Sequence, residues 1–312
     1  MSAPAAPATR IPLRARARDR ALERPPGEPR RVAYLYVLPG LVVFVAFVLL
    51  PLIHSAWISL FAWDGITAGE WVGIDNYKAV VTEPELRRAF LHSLILLFFY
   101  SVLPIVIGLL LAAAMSRTRV RGLAAFRTVL FLPQVIALVV VAVMWRMIYA
   151  PEGGLLNRAL GVLGIGPQNW LGDFNLALPS VGLIGTWVMY GLAMVLFTAG
   201  VQKIPQSLYD AARVDGAGPV REFFAVTLPG LRSELAVALT LTTIAALRNF
   251  DLVYITTGGG PGGQTSVPAF EVYHRAFQSG EVGGASAVGV CLAAVIFVLS
   301  YAINRFAERG AR

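Results

Sequence analysis

Apolar residues in this chain come in long blocks, not in alternation or in narrow helical stripes. Six blocks, at about 34–62, 89–116, 128–149, 179–201, 233–257 and 284–305, each approach or exceed the length an α-helix needs to cross a bilayer. Hydrocarbon offers no water to backbone N–H and C=O groups, so such runs close their hydrogen bonds internally as helices. The pattern predicts an all-α polytopic membrane protein with six transmembrane helices. A basic arm over 1–33 precedes the membrane domain at 34–306, and a short tail follows at 307–312.

One interruption of the apolar pattern differs from the others. Between the fourth and fifth blocks the segment 202–230 contains YDAARVDGAGPVREFFAVTLP, from Tyr209 to Pro229. Pro205 suits the start of a short helix, and Leu208, Ala211 and Ala212 give that helix a narrow apolar face. Gly216 suits its end, where the backbone often turns left-handed. Pro219 fits the first turn of a second helix, Phe223 and Phe224 supply anchors, and Leu228-Pro229 stops it before the next span. The small residues Ala211, Ala212, Gly216 and Ala217 around the bend let another protein approach the backbone, so the segment reads as a docking knob. The plainer alternative is a loop lying on the membrane with its phenylalanines among the headgroups.

Composition and charge fix which side this knob occupies. The chain is 57% hydrophobic and 14% charged, against roughly 25% charged for a soluble domain, which leaves a membrane protein as the consistent class. Eight arginines precede the first span. Four more (Arg117, Arg119, Arg121 and Arg127) lie around the second connection, Lys203, Arg213, Arg221 and Arg232 around the fourth, and Arg305, Arg309 and Arg312 at the end. With six spans all four groups fall on one side, so the positive-inside rule places both termini and the 202–230 loop in the cytoplasm. The net charge of +8 is therefore a topology signal and does not imply a nucleic-acid partner. On the other side, Trp57, Trp63, Trp71 and Tyr77 cluster as interfacial aromatics do, and the loop 150–178 reads as a compact outer cap.

Little else supports chemistry. The only lysines are Lys78 and Lys203, neither preceded by glycine, so the chain has no phosphate-binding loop of its own. Gly258 to Gly263, GGGPGG, follows a membrane helix instead of a strand and reads as a flexible outer turn. Cys291 is the single cysteine and reads as a packing residue, while His54, His92 and His274 lack ligand spacing, so no metal site is expected. In the fifth span Arg248 and Asp251 stand three residues apart with Asn249 between them, which predicts a shared helix face. Charges at that depth face a partner or a wet cavity, so the three residues are candidates for a polar translocation path. A mutual ion pair near the outer interface is the alternative. Ala285, Gly289 and Ala293, four apart, would let another helix come close.

Asp210-Ala211-Ala212, then Asp215-Gly216-Ala217, Phe223 and Leu228-Pro229 resemble the EAA loop of the membrane subunits of bacterial binding-protein-dependent ABC importers. Asp210 stands where that family usually has glutamate. Tyr36, Leu38-Pro39-Gly40, Pro51, Phe61-Ala62-Trp63-Asp64-Gly65, Val72 to Tyr77, Phe250 to Tyr254, Thr257 to Pro261 and Ala285-Ser286-Ala287 are similar to sugar permeases of the maltose and glycerol-phosphate type, specifically the first of their two permease subunits. The resemblance covers nearly all of 34–306. It implies a type I ABC importer permease bundle with cytoplasmic coupling helices, in the bacterial plasma (inner) membrane. It also implies a non-catalytic subunit without a cofactor. The implied partners are a second permease subunit in a heterodimer, two ATPase subunits and an extracytoplasmic sugar-binding protein. ATPase docking would fall on the matched loop residues, from Asp210 to Pro229. Two other classes compete with this reading. An ATP-independent transporter or channel would need ionisable groups in several spans or interrupted spans. A membrane-embedded enzyme would need clustered acids, histidines or a metal motif.

Overall fold

The computed structural model describes residues 30–117 and 122–309, so most of the basic arm, Arg119, Arg121 and the last three residues lie outside the described residues. The chain divides into two units at His54 and Ser55. The first is a helical rod, α1, that runs from Arg30–Phe44 through a π-turn at Val45–Leu49 into Leu50–Ile58, whose end belongs to the second unit.

The second unit opens with a small ribbon of β1 (Phe61–Ala62) and β2 (Glu70–Trp71), paired Phe61 to Trp71 and Ala62 to Glu70. Asp64 closes its turn by accepting the N–H groups of Ile66 and Thr67 and the Thr67 hydroxyl. These donors hold its carboxyl below the usual carboxylate range, the Ile66 N–H first among them. Trp57, Phe61 and Trp71 pack ring to ring at 5.0–5.8 Å. After α2 (Asp75–Thr82) a long helix runs from α3 (Pro84–Leu97) through a π-turn at Phe98–Val102 into α4 (Leu103–Arg117). There follow α5 (Leu123–Val135), α6 (Leu138–Ile148), α7 (Leu155–Gly161) and α8 (Ala177–Val201). Next come α9 (Gln206–Val214) and α10 (Pro219–Glu222), the latter prolonged by a π-turn at Phe223–Thr227 and by Leu228–Gly230. The unit ends with α11 (Arg232–Leu247), α12 (Asp251–Thr256), α13 (Pro268–Phe277) and α14 (Val282–Arg309).

All three π-turns have one cause. Leu50, Leu103 and Leu228 donate to the carbonyl five residues back, at Val45, Phe98 and Phe223. The next residue in each case is a proline, Pro51, Pro104 or Pro229. A proline brings no N–H to the carbonyl four residues before it and its ring crowds that carbonyl, so the helix widens by one residue there.

Four helices among the described residues are long and apolar enough to span a bilayer: Tyr34–Ile58, Pro84–Met115, Ala177–Val201 and Val282–Ala307. The count reaches six if two bent pairs each serve as one span: α5 with α6, bent by 96°, and Pro219–Gly230 with α11, bent by 71°. One expectation needs correction here. The third apolar block is not one straight helix, because Ile136 and Ala137 leave the helical region, with ψ of 135° and 132°. The second helix of the loop ends at Gly230, one residue past Leu228-Pro229, and turns at Leu231 before the next span, after a π-turn that absorbs the missing N–H.

The unit is organised around α8. A Cβ built on Gly185 would lie 2.0 Å from the Tyr100 ring, one on Gly182 2.5 Å from Phe99, and one on Gly191 2.8 Å from the Leu130 carbonyl oxygen. These glycines let the π-turn at Phe98–Val102 and α5 approach α8 closely. In lipid such close packing supplies attraction that the hydrophobic effect does not. The Thr186 hydroxyl donates to the Phe99 carbonyl at 2.6 Å, and the hydroxyls of Ser101 and Thr242 meet at 2.7 Å, which ties the long second helix to α8 and to α11.

The loop 150–178 is compact, as expected. Its centre is the side-chain amide of Asn157, which donates to the carbonyls of Ala150, Pro151 and Gln168 and accepts from the Gln168 N–H and the Trp170 indole.

Candidate functional site

The 202–230 loop is built from its backbone outward. Pro205 precedes α9 with ψ of 132°, outside the helical region, and α9 ends in a left-handed turn at Gly216 (φ +75°). There the Gly216 N–H donates to the Arg213 carbonyl at 3.0 Å and the Ala217 N–H to the Ala212 carbonyl at 2.9 Å. This paired pattern satisfies the last carbonyls of α9 and reverses the chain. Pro219 occupies the first turn of the next helix, as expected.

Side chains then clasp the two helices together. The Arg213 guanidinium reaches the buried Glu222 carboxylate at 3.2 Å and Asp210 at 3.6 Å, and the hydroxyls of Tyr209 and Thr227 meet at 3.2 Å. Lys203 pairs with Glu234 at 2.9 Å, fastening the loop to the start of α11. The sequence reading missed Tyr209, Arg213, Glu222 and Thr227 as a set. Their only trace is that a basic and an acidic residue flank the Gly216 bend, three positions before it and six after it.

Around this clasp several apolar side chains face outward. Leu208, Val214, Val220 and Phe224 are 51%, 88%, 71% and 61% exposed, and no atom lies within 4 Å of a Cβ built on Gly216. The apolar face expected of α9 is thus presented outward instead of packing within the chain. Asp210, Ala211, Asp215, Gly216 and Pro229 are exposed, while Ala212, Ala217, Phe223 and Leu228 are half-buried. Phe223 stands edge-on to Phe224 and lines a cavity of about 900 Å³ behind the loop, with Tyr209 and Arg213.

Arg248, Asn249 and Asp251 are not on one helix face. α11 ends at Leu247 with Arg248 as its cap, and α12 begins at Asp251, so Arg248, Asn249 and Phe250 form a break. The basic residue closes the negative end of one helix and the acidic residue opens the positive end of the next, so each charge complements its own helix. No Arg248–Asp251 ion pair occurs among the described residues, and both side chains are exposed. Asn249 is buried, and its amide Nδ2 has no acceptor among the described residues. The break therefore carries two exposed charges and one buried, unsatisfied amide.

Beyond it the GGGPGG loop is a turn, with Gly258, Gly259, Gly262 and Gly263 all at positive φ (54–82°), which side-chain-bearing residues rarely adopt. Phe250, Tyr254, Tyr273 and Phe277 form an adjoining aromatic ladder with ring centroids 5.1–5.4 Å apart, and sequence spacing alone did not join them. Among the described residues no three His, Cys, Asp or Glu side chains group as metal ligands.

Residues 104–312 match the family model described as "Binding-protein-dependent transport system inner membrane component". The chain is 35% identical over 283 residues to a probable ABC transporter permease protein, YurN, of Bacillus subtilis, covering 89% of this chain and 97% of that protein. It is also 35% identical to the trehalose/maltose transport system permease protein MalF of Thermococcus litoralis, over 88% of this chain and 92% of that one. Its fold matches a chain of the bacterial alginate ABC transporter solved in complex with an alginate pentasaccharide-bound periplasmic protein. The TM-score is 0.76 at 23% identity, over 89% of this chain and 94% of the other.

Proposed function

Since this chain belongs to the family of binding-protein-dependent transport system inner membrane components, we propose that it is the permease subunit of an ATP-driven sugar importer and takes its energy from a separate ATPase through the 206–230 loop. The observation that carries the reading is the form of that loop. It is clasped internally by Arg213–Glu222 and Tyr209–Thr227 and carries exposed apolar side chains around an open Gly216. A rigid, apolar projection of this kind suits a protein cleft.

The arginine distribution supports a cytoplasmic position for the loop, where ATP is, with both termini on the same side. The partners are then a second permease subunit, two ATPase subunits and an extracytoplasmic sugar-binding protein. Sugar as the cargo is supported by the trehalose/maltose permease among the relatives, and a binding protein by the alginate complex. ATP binding closes the ATPase pair and displaces the knob. The knob's second helix joins α11 through a single 71° bend, so its displacement turns α11, whose other end is the break at Arg248 to Phe250. Arg248, Asn249 and Asp251 line the path that this movement opens. Conformational coupling requires the ATPase to hold the two states of the permease with different affinity, and the knob is where that difference acts.

An ATP-independent transporter would also use interrupted spans, and breaks of that kind are present here. Family membership favours the importer, and one substitution tests it. In a strain that depends on this permease, Gly216→Trp is expected to reduce sugar uptake to background, whereas Gly216→Asn, which tolerates the left-handed conformation, retains much of it. Unchanged uptake by Gly216→Trp would refute the lever.

A further inference from the structure

Next to the break, on the GGGPGG side, lies a cavity of about 510 Å³ that the importer reading does not use. One wall is aromatic: the rings of Tyr254 and Phe270 lie 6.5 Å apart, tilted by 39°. Glycines at 258–260, 262 and 263 line it with bare backbone. Glu85 and Arg88, at the start of α3, and His274 and Gln278, at the end of α13, complete the lining.

The hydrogen-bond pattern sets these four side chains apart. Nearby polar groups are consumed: Arg275 pairs with Glu83, Glu271 and Glu281, and Ser266 donates to Glu271 at 2.5 Å. By contrast Glu85, Gln278 and the His274 ring have no hydrogen-bond or ion-pair partner among the described residues, and Arg88 engages only its Nε, on the Pro84 carbonyl at 3.3 Å. The exposed Tyr254 ring, the largely buried Phe270 ring and a rim of solvent-accessible donors and acceptors therefore surround a volume in the range of small-molecule sites. The carboxylate of Glu85 is balanced by Arg88, and Glu271 is already engaged by Arg275, so the rim favours no net ligand charge.

We infer that this cavity holds an uncharged saccharide, its C–H face on Tyr254 and its hydroxyls on Glu85, Arg88, His274 and Gln278, as a station ahead of the break. The inference rests on the sugar-importer reading and adds a site and a charge class to it. Tyr254 lies one helical turn beyond Asp251 on α12, so a ligand leaving the cavity meets the break next. Aromatic rings bind the apolar face of a pyranose, and planar carboxylate, amide and guanidinium groups match its vicinal hydroxyls. An anionic sugar would gain from Arg88 but be repelled by Glu85.

The test uses the assembled transporter in nanodiscs, without any binding protein. Saturation-transfer NMR is recorded with maltose, trehalose, lactose and diacetylchitobiose as neutral probes and a uronate disaccharide as an anionic one. Saturable transfer is expected to at least one neutral probe. Its apparent affinity should fall about tenfold in Arg88→Ala and in His274→Ala, the scale of one lost charge-assisted hydrogen bond, and should persist in Asp251→Ala. The inference is overturned by no transfer to any neutral probe, by a preference for the uronate, or by a signal that Asp251→Ala abolishes and the cavity variants leave intact. In a second arm a sugar-binding protein is added, and the inference is equally overturned if the cavity variants weaken only its association. Failure of the importer reading itself would be seen separately, as absence of a second permease and an ATPase from the purified assembly.

Discussion

The two ends of the α10–α11–α12 segment solve opposite problems. At the 206–230 end the polar side chains are turned on one another, Arg213 on Glu222 and Tyr209 on Thr227, and the apolar ones are turned outward. At the 248–278 end the apolar side chains are largely packed, Leu252, Val253 and Val267 within a core with Val141 and Ile184, while the buried Asn249 amide has no acceptor for its Nδ2 and the exposed Glu85 and Gln278 side chains make no hydrogen bond among the described residues. Where polar side chains are paired across the bend and apolar ones stand exposed around it, the element suits another protein. Where polar groups are left open beside aromatic rings, the region suits a small polar ligand. The difference lies in which groups have been left unsatisfied.

Substitution can separate these two uses of polarity. Arg213→Ala should destabilise the protein, because it takes a guanidinium from the buried Glu222 carboxylate. With Arg213 itself half-exposed, the expected loss is about 1–2 kcal/mol, read as a lower unfolding temperature in detergent together with reduced uptake. A smaller stability effect is expected from Asn249→Leu, within about 1 kcal/mol and of either sign, because it removes a buried amide that has no acceptor for its Nδ2. Uptake should nevertheless fall in that variant. If Asn249→Leu unfolds the protein as readily as Arg213→Ala, the contrast between the two ends is wrong.

Legibility in the sequence follows the same division. Hydropathy located all six apolar blocks, because a helix in lipid announces itself by composition alone. Windows of that length average over a few residues, and so they passed over the break at Ile136 and Ala137 and the one at Arg248 to Phe250. Gly216 and Pro219 were readable as a helix end and a helix start, because each imposes a local backbone preference that no tertiary contact overrides. Leu228-Pro229 marked the end of the loop's second helix to within one residue, but the π-turn that accommodates the proline was not readable. The Arg213–Glu222 clasp and the Tyr254–Phe270 wall join residues 9 and 16 positions apart across turns, and their geometry exists only once those turns are formed. Residues that act through the backbone could be read in advance, and residues that act through convergence could not.

The central claim is that ATPase force enters through the apolar surface of the 206–230 knob, and it can be measured at that surface. Val220→Asp with Phe224→Asp places two carboxylates on side chains that are 71% and 61% exposed, outside the clasp and away from the helix packing around α8. Affinity purification of the doubly substituted permease from mild detergent, with the co-purifying subunits quantified against wild type, is the direct measurement. The account predicts that the second permease subunit remains at its wild-type ratio while the ATPase is lost. Retention of the ATPase at the wild-type ratio would contradict it.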